Sequence, residues 1–447
     1  MDMEGGAMRE KRKGRYMRID LPEKVEYIIE TLQSAGYEAY AVGGCVRDCM
    51  LGREPKDWDV TTSADPYEVK ALFRRTVDTG IKHGTVTVMF GETGYEVTTY
   101  RLDGEYEDAR HPKEVTFTKS LQEDLKRRDF TINAMAYNHK DGLVDLFGGK
   151  EDLEDGIIRC VGNPGERFDE DALRILRALR FSAQLGFVVE AATEKAIRAR
   201  CLHLNKISAE RIRDELNKLL LSALPERLLD LDACGIAGVV LPEMIGLLRQ
   251  GERATAILRS LKNYEKYRLD SRTELILSWA TLLNAALLQE GCSDNQKRKL
   301  AVKRVLQRLK FDNDTINKAA SLAEYSMEEV VADAYRIRKQ MHRMGEDIFD
   351  LWLMFVSGRH FFDERSDSAE TTEQAKRIVE EIRSGPYCVS LKQLAVSGSD
   401  LIAAGRQPGV ALGETLEYLL EQVLEYPEWN NREKLLAIAE QEDCPGR

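Results

Sequence analysis

The chain has 447 residues, 43% of them hydrophobic and 32% charged, and a formal net charge of −11. That balance excludes a disordered chain and a protein coated in positive charge, though a local basic surface suffices for nucleic acid. No apolar run approaches the roughly 20 residues that cross a bilayer, so no membrane partner is expected.

Six histidines and eight scattered cysteines, with no CxxC, suggest neither a zinc site nor a disulfide framework. A reducing, cytoplasmic setting is the natural expectation. Residues 1–18 are polar and basic (Arg9, Lys11, Arg12, Lys13, Arg15) and lack the apolar core of a secretory signal. Residues 19–37 read as a helix, with Val25, Ile28, Ile29 and Leu32 at helical spacing and Gly36 at its end. Residues 39–42 read as a short strand that runs into Gly43-Gly44, where the missing side chains let backbone approach a ligand. An ordinary tight turn is the plain alternative. Residues 46–51 continue as a short helix, with Cys45 and Cys49 read as small packed residues. The stretch 56–62 alternates like a strand, which sends Asp57 and Asp59 to one face. Two carboxylates that close either share a proton or hold cations. Mg²⁺ usually takes one or two carboxylates plus substrate phosphates.

Residues 66–73 are helical, and 85–90 with 95–100 form a hairpin around Gly91 and Gly94. Glu96, in the second of these strands, is either a third acid near the pair or a solvent-facing residue. Residues 101–117, with Asp103, Tyr106, Arg110, His111 and Pro112, read as a mobile loop. From 120 to 137, charges give way to an apolar helix face at Phe130, Ile132 and Met135. At that border Arg128 and Asp129 either bind a phosphate and a ribose hydroxyl or form a helix-start charge cluster. From 151 onward the strand signal nearly vanishes. Residues 166–184 read as one amphipathic helix, with Asp171, Arg174, Arg177 and Arg180 in a slanting polar stripe. A solvated face explains that stripe; so does a site, because Asp171 and Arg174, neighbours at i, i+3, offer an acceptor and a donor fork to the edge of a base. Ser208 then caps another helix. The remainder to about 440 is helical, with breaks near 250, 292, 312, 357–373 and 385 and frequent Lys and Arg from 297 to 339.

Five stretches carry a resemblance in order and spacing. They are Gly43-Gly44-x-Val46-Arg47-Asp48, Asp57-x-Asp59, Arg127-Arg128-Asp129-Phe130-Thr131-Ile132-Asn133-Ala134, Glu170-Asp171-x-x-Arg174-x-x-Arg177-Ala178-x-Arg180-Phe181 and Ile207-Ser208-x-Glu210-Arg211-Ile212. Together the chain resembles class II tRNA nucleotidyltransferases, the CCA-adding enzymes, related to bacterial poly(A) polymerases within the polymerase-β-like superfamily. The tail, with Ser397-Gly398-Ser399-Asp400-Leu401 and Pro408-Gly409, resembles the Bacillus-type enzymes.

The resemblance implies an α+β fold of seahorse shape. A polymerase-β-like nucleotidyltransferase head with a mixed sheet (19–150) would follow the basic tail (1–18). A helical neck with base recognition (151–235), a body (236–357) and a tail (358–447), the last two binding tRNA, would complete it. It implies template-independent addition of C, C and A to the 3′ end of tRNA from CTP and ATP, with release of diphosphate. Asp57 and Asp59 would be catalytic ligands of Mg²⁺, and Gly44 and Arg47 would line the nucleotide site. Arg128 would contact phosphate or sugar, and Asp129 would read the 2′-hydroxyl. Asp171 and Arg174 would hydrogen-bond the base, with Glu170 orienting Arg174 and with Arg177 and Arg180 in support. The loop bearing Arg110 resembles the flexible loop of enzymes that add the terminal A. Residues 275–286 lack the His-Asp pair of a phosphohydrolase domain. Other readings are an A-adding enzyme, a poly(A) polymerase, a small-molecule nucleotidyltransferase, or a catalytically idle RNA-binding protein on the same fold.

Overall fold

The computed structural model describes residues 18–103, 115–359, 369–441 and 444. The basic N-terminal tail and Tyr106, Arg110, His111 and Pro112 lie outside the described residues. The chain divides into two compact units, Met1–Pro242 and Glu243–Arg447.

In the first unit, helix α1 (Glu23–Ser34) buries Val25, Ile28, Ile29 and Leu32, the stripe its spacing predicts. A seven-stranded sheet follows. Its strands are β1 (Ala39–Val42), β2 (Asp59–Thr62), β3 (Thr76–Gly80), β4 (Thr85–Phe90), β5 (Thr93–Thr99), β8 (Met135–Asn138) and β9 (Gly142–Asp145), in the order β3-β4-β5-β2-β1-β8-β9. Only β2 and β5 run parallel; the other neighbours are antiparallel. A separate two-stranded ribbon pairs β6 (Arg101–Asp103) with β7 (Val115–Phe117). Short helices α2 (Gly44–Met50), α3 (Pro66–Leu72) and α4 (Leu121–Lys126) join the strands. β3 is an exposed, mostly polar edge strand, so no apolar alternation announced it.

Three local expectations give way. Strand β2 begins at Asp59, which is already paired with Glu96, so Asp57 stands on the lead-in and strand alternation does not place it. The helix expected through Met135 ends at Lys126; Thr131–Asn133 forms a 3₁₀ turn and β8 follows. Phe130, Ile132, Ala134 and Ala136 are wholly buried. An apolar run buried on all sides carries no period that separates helix from central strand.

The single helix expected over 166–184 is two: α6 (Pro164–Glu170) and α7 (Leu173–Leu185), after α5 (Gly149–Asp155). Between them Asp171 is extended, with φ −141° and ψ 102°. Its carboxylate accepts from the Leu173 amide at 3.0 Å. Such a local bond is what lets Asp leave the helical path. Helix α7 buries Ile175, Leu176, Ala178 and Leu179 and packs on α9 (Ala209–Leu220), with α8 (Ala191–Arg200) between them in sequence.

The second unit is helical throughout its described residues. Its longest helix, Ser271–Gln289, is buried from Ile276 to Ala286. Arg298 is also wholly buried, and its guanidinium donates to the carbonyls of Cys292 (3.0 Å) and Ala323 (3.3 Å). Of the break expected near 357–373, residues 360–368 lie outside the described residues; on either side the helix Glu346–Arg359 runs into it and the next helix begins at Ala369. Among the described residues no helix is long and apolar enough to cross a membrane.

Candidate active site

A pocket of about 810 Å³ in the first unit gathers Gly43, Gly44, Arg47, Asp57, Asp59, Arg128, Asp129, Arg177 and Arg180. Residues far apart in sequence meet there because β1 and β2 are neighbours and α7 lends Arg177, Arg180 and Phe181 to the same pocket. The backbone enters the pocket at Gly43, which has φ +83°. A Cβ on Gly43 would lie 2.8 Å from Arg128 Nη1, whereas one on Gly44 would meet only Arg47 Nη2 at 3.7 Å. The left-handed φ of Gly43 is what disfavours a side chain there, since the tip of Arg128 could move aside; at Gly44 there is room for one.

Arg47 donates to Asn133 Oδ1 at 2.7 Å and to Asp48 Oδ1 at 2.9 Å. Its guanidinium lies 5.1 Å from the centre of the Phe181 ring. Arg177 (5.6 Å) and Arg180 (3.8 Å) meet the same ring. One aromatic ring thus lies among three cations that would otherwise repel. Arg180 is further tied to Glu215 Oε2 at 2.6 Å and Gln184 Oε1 at 2.9 Å.

Asp59 is open to the pocket but ringed by protein. Burial pushes its pKa up; Arg128 opposes the shift and Asp57 adds to it. Glu96, across the parallel ladder from Asp59, is raised by burial and then by Asp59 and Asp57. Acids that hinder one another's ionisation are a donor set suited to a hard divalent cation. Among the described residues no closed cage of three or more His, Cys, Asp or Glu stands ready. The buried Nε of Arg128 has no hydrogen-bond partner among the described residues, a second sign of a ligand-facing group.

Asp129 is almost fully buried and fully engaged. Oδ1 accepts from the Phe130 amide (2.9 Å) and Asn133 Nδ2 (3.1 Å), and Oδ2 accepts from Arg177. Burial acts to raise its pKa, but Arg177, Asn133 and Arg174 outweigh it and hold the carboxyl well below the usual range.

Asp171 and Arg174 do not line this pocket. Arg211 clasps Asp171, with Nη2 2.7 Å from Oδ2 and Nη1 3.3 Å from Oδ1. Arg174 donates to Glu170 Oε2 at 2.6 Å, to the Arg127 carbonyl at 3.0 Å and to the Arg167 carbonyl at 3.2 Å. The Arg174 amide still donates to the Asp171 carbonyl at 3.1 Å, so the two stay one turn apart while each side chain is held by another partner. Asn133, Phe181, Arg211 and Glu215 are contributors whose roles sequence reasoning missed. Three of them sit inside the quoted motifs, but their spacing says nothing of which side chain they hold.

The chain is similar along most of its length to characterised proteins. It is 37% identical over 418 residues to the CCA-adding enzyme of Lactiplantibacillus plantarum, covering 92% of this chain and 94% of that protein. It is 40% identical over 408 residues to that of Levilactobacillus brevis, covering 90% and 94%. The chain belongs to the CCA-adding enzymes. It is a tRNA nucleotidyltransferase that adds C, C and A to the 3′ end of tRNA. The crystal structure of the Bacillus stearothermophilus CCA-adding enzyme in complex with CTP aligns with a TM-score of 0.76 and 32% identity, covering 94% of this chain and 97% of that one. Family models match in three places: the poly A polymerase head domain over residues 39–159, the RNA and SrmB binding site of polymerase A over 186–247, and tRNA nucleotidyltransferase domain 2 over 292–439. The first match starts at the first residue of β1 and takes in both acids. A nucleotidyltransferase head of this kind uses a divalent metal, and the CCA-adding enzyme's open acid pair matches that need.

Proposed function

We propose that the pocket over Asp57 and Asp59 takes CTP and then ATP and is where each is joined to the 3′ end of tRNA. The observation that carries this reading is the convergence of the acid pair with Gly43, Arg47, Arg128 and Arg177 around one cavity of about 810 Å³. That volume suits a nucleoside triphosphate, since ligand pockets run from about 300 to 1,000 Å³.

Asp57 and Asp59 would hold Mg²⁺, with Glu96 beside them. When bound, the metal supplies charge neutralisation at the phosphates and lowers the pKa of the attacking hydroxyl. The acceptor's 3′ oxygen forms a bond to the α-phosphorus. The bond from that phosphorus to the α–β bridging oxygen breaks, diphosphate leaves with the electron pair, and the hydroxyl proton passes to water. Arg47, Arg128 and Arg177 grip the phosphates, Arg180 supports them, and Gly43 with Gly44 lets the triphosphate lie against backbone. Asp129, which lines the pocket, reads the ribose 2′-hydroxyl when its carboxylate turns from one of its present partners. Asp171 and Arg174 act as the base readers once Arg211 and Glu170 release them. The helices of 151–235, 236–357 and 358–447 serve as neck, body and tail, the last two gripping tRNA. The reaction belongs to the cytoplasm, where tRNA, CTP and ATP meet.

The test uses tRNA lacking CCA, incubated with Mg²⁺ and CTP, ATP or both. Product length on a gel should reach full CCA only with both nucleotides. A lone A or a long A tract would favour the A-adding or poly(A) readings instead.

A further inference from the structure

Asp124 is a buried acid for which the reaction gives no use. It lies on α4, its side chain is wholly buried, and it does not line the nucleotide pocket. An Asp is almost never buried so completely unless it is paired. Its partners are two consecutive arginines and a threonine. Oδ1 accepts from Arg127 Nε at 3.0 Å and Nη2 at 2.8 Å. Oδ2 accepts from Thr61 Oγ1 at 3.1 Å and lies 3.6 Å from Arg128 Nη2. Burial acts to raise its pKa, but Arg127 and Arg128 outweigh it and hold the carboxyl below the usual range.

The two arginines are neighbours in sequence with different surroundings. Arg127 stays out of the nucleotide pocket, and its carbonyl accepts from Arg174 Nη2 at 3.0 Å. Arg128 lines the pocket. Its Nη1 lies 2.8 Å from where a Gly43 Cβ would sit, while Nη2 faces Asp124. One guanidinium thus spans from the buried acid to the backbone of the pocket. Its contact with Asp124 is an ion pair too long to be a hydrogen bond. Thr61 stands two residues after Asp59 on β2. The strand that brings an acid to the pocket therefore also steadies Asp124.

We propose that Asp124 is a positioning residue for the triphosphate: it holds the Arg128 guanidinium against Gly43, ready for the phosphates, and acts on the nucleotide only through Arg128. This rests on reading the larger pocket as the nucleotide site. The division of the carboxylate is what makes it work. Both Arg127 bonds fall on Oδ1, and Thr61 takes a share of Oδ2. Arg128 is left with attraction at a distance. A close bidentate pair would occupy donors that the phosphates need. With no carboxylate at all, ordering this long side chain would fall to the ligand and weaken its binding.

The experiment measures binding by calorimetry, with Mg²⁺ and without tRNA, using CTP and inorganic triphosphate as probes. Asp124→Asn keeps the shape and removes the charge. It should weaken both probes by the same factor, roughly tenfold, the scale of one charge-assisted hydrogen bond. Arg128→Gln should weaken both at least as much. The double variant should lose less than about twofold beyond Arg128→Gln alone. Thr61→Val leaves the carboxylate and removes the hydroxyl that steadies it. It should weaken both probes about threefold, again only while Arg128 is present, and it carries the test if Asp124→Asn does not fold. A merely structural Asp124 would cost the same factor with or without Arg128, so independent, multiplying losses would overturn the assignment. So would a loss confined to CTP, the mark of an effect passing through the Arg127 carbonyl to Arg174. Failure of the unchanged enzyme to bind either probe, or an Arg128→Gln variant that binds both as tightly as the unchanged enzyme, would instead remove the reading of the larger pocket.

Discussion

Arg177 grips Asp129 with two nitrogens on a single oxygen, Nε at 2.8 Å and Nη2 at 2.6 Å from Oδ2. The other oxygen is left to Asn133 and the Phe130 amide. This pair joins α7 to the turn before β8, so one ion pair ties the helical wall to the sheet. Removing Arg177 leaves a buried carboxylate without its cation. The Arg177 side chain is 35% exposed, so solvent screening trims the loss. Arg177→Ala should cost about 2–3 kcal/mol of stability, at or below the lower end for a broken buried pair. The pH dependence follows from the sign. Asp129 is depressed in the folded chain, so its contribution is complete above the unfolded carboxyl value of about 3.9 and fades as pH falls towards the folded one. Urea midpoints should differ most near neutrality and converge in acid. A gap that widens in acid would contradict the assignment.

The acid pair should separate chemistry from tRNA affinity. Asp59→Ala should reduce nucleotide transfer by on the order of 10³-fold, the scale of several kcal/mol of lost charge stabilisation. Filter binding of tRNA should change little, because the acids face the small substrate. Chelation of Mg²⁺ by EDTA should have the same effect on the unchanged enzyme.

Phe181 should matter through cations it never contacts covalently. Its ring meets Arg47, Arg177 and Arg180, and each such contact is worth about 0.5–1 kcal/mol. Phe181→Leu should raise KM for CTP and for ATP together, roughly tenfold. A change confined to one nucleotide would place Phe181 at the base instead of behind the phosphate-gripping arginines.

Arg211 should act through Asp171. Arg211→Ala should relax the choice of C over A by roughly tenfold, the scale of one charge-assisted bond. The double variant Asp171→Ala/Arg211→Ala should be no worse than Asp171→Ala alone. Misincorporation of A on tRNA lacking CCA provides the readout. Additive effects would break the link.

Much of this site could be read before any coordinates. Gly43, Arg47, Asp57, Asp59, Arg128 and Asp129 sit in three short motifs whose residue types already imply phosphate and metal. The sheet was partly legible too, since the β4–β5 hairpin and the buried stripe of α1 follow ordinary periods. What escaped depends on long-range closure. Nothing local to Asp124 says that it lies wholly buried under Thr61 and Arg127. Nothing local to Glu215 says that it faces Arg180. β8 was hidden because Met135, Ala136 and Tyr137 are buried whichever face they point to. The amphipathic pattern of 166–184 is genuine, but a single Asp with a better local bond breaks the rod that the pattern suggests.

That break leaves Asp171 in a resting position, held by Arg211 and the Leu173 amide. On the base-reading proposal, an incoming nucleotide must draw Asp171 away from two partners it already has, Arg211 and the Leu173 amide. If the released form is about one part in ten, apparent affinity falls about tenfold for every nucleotide. Only a base whose own bonds exceed that toll holds the released form in place. Because that toll falls on CTP and ATP alike, it sets how firmly any nucleotide must bind, and the choice between them rests on the bonds each base makes with the released pair.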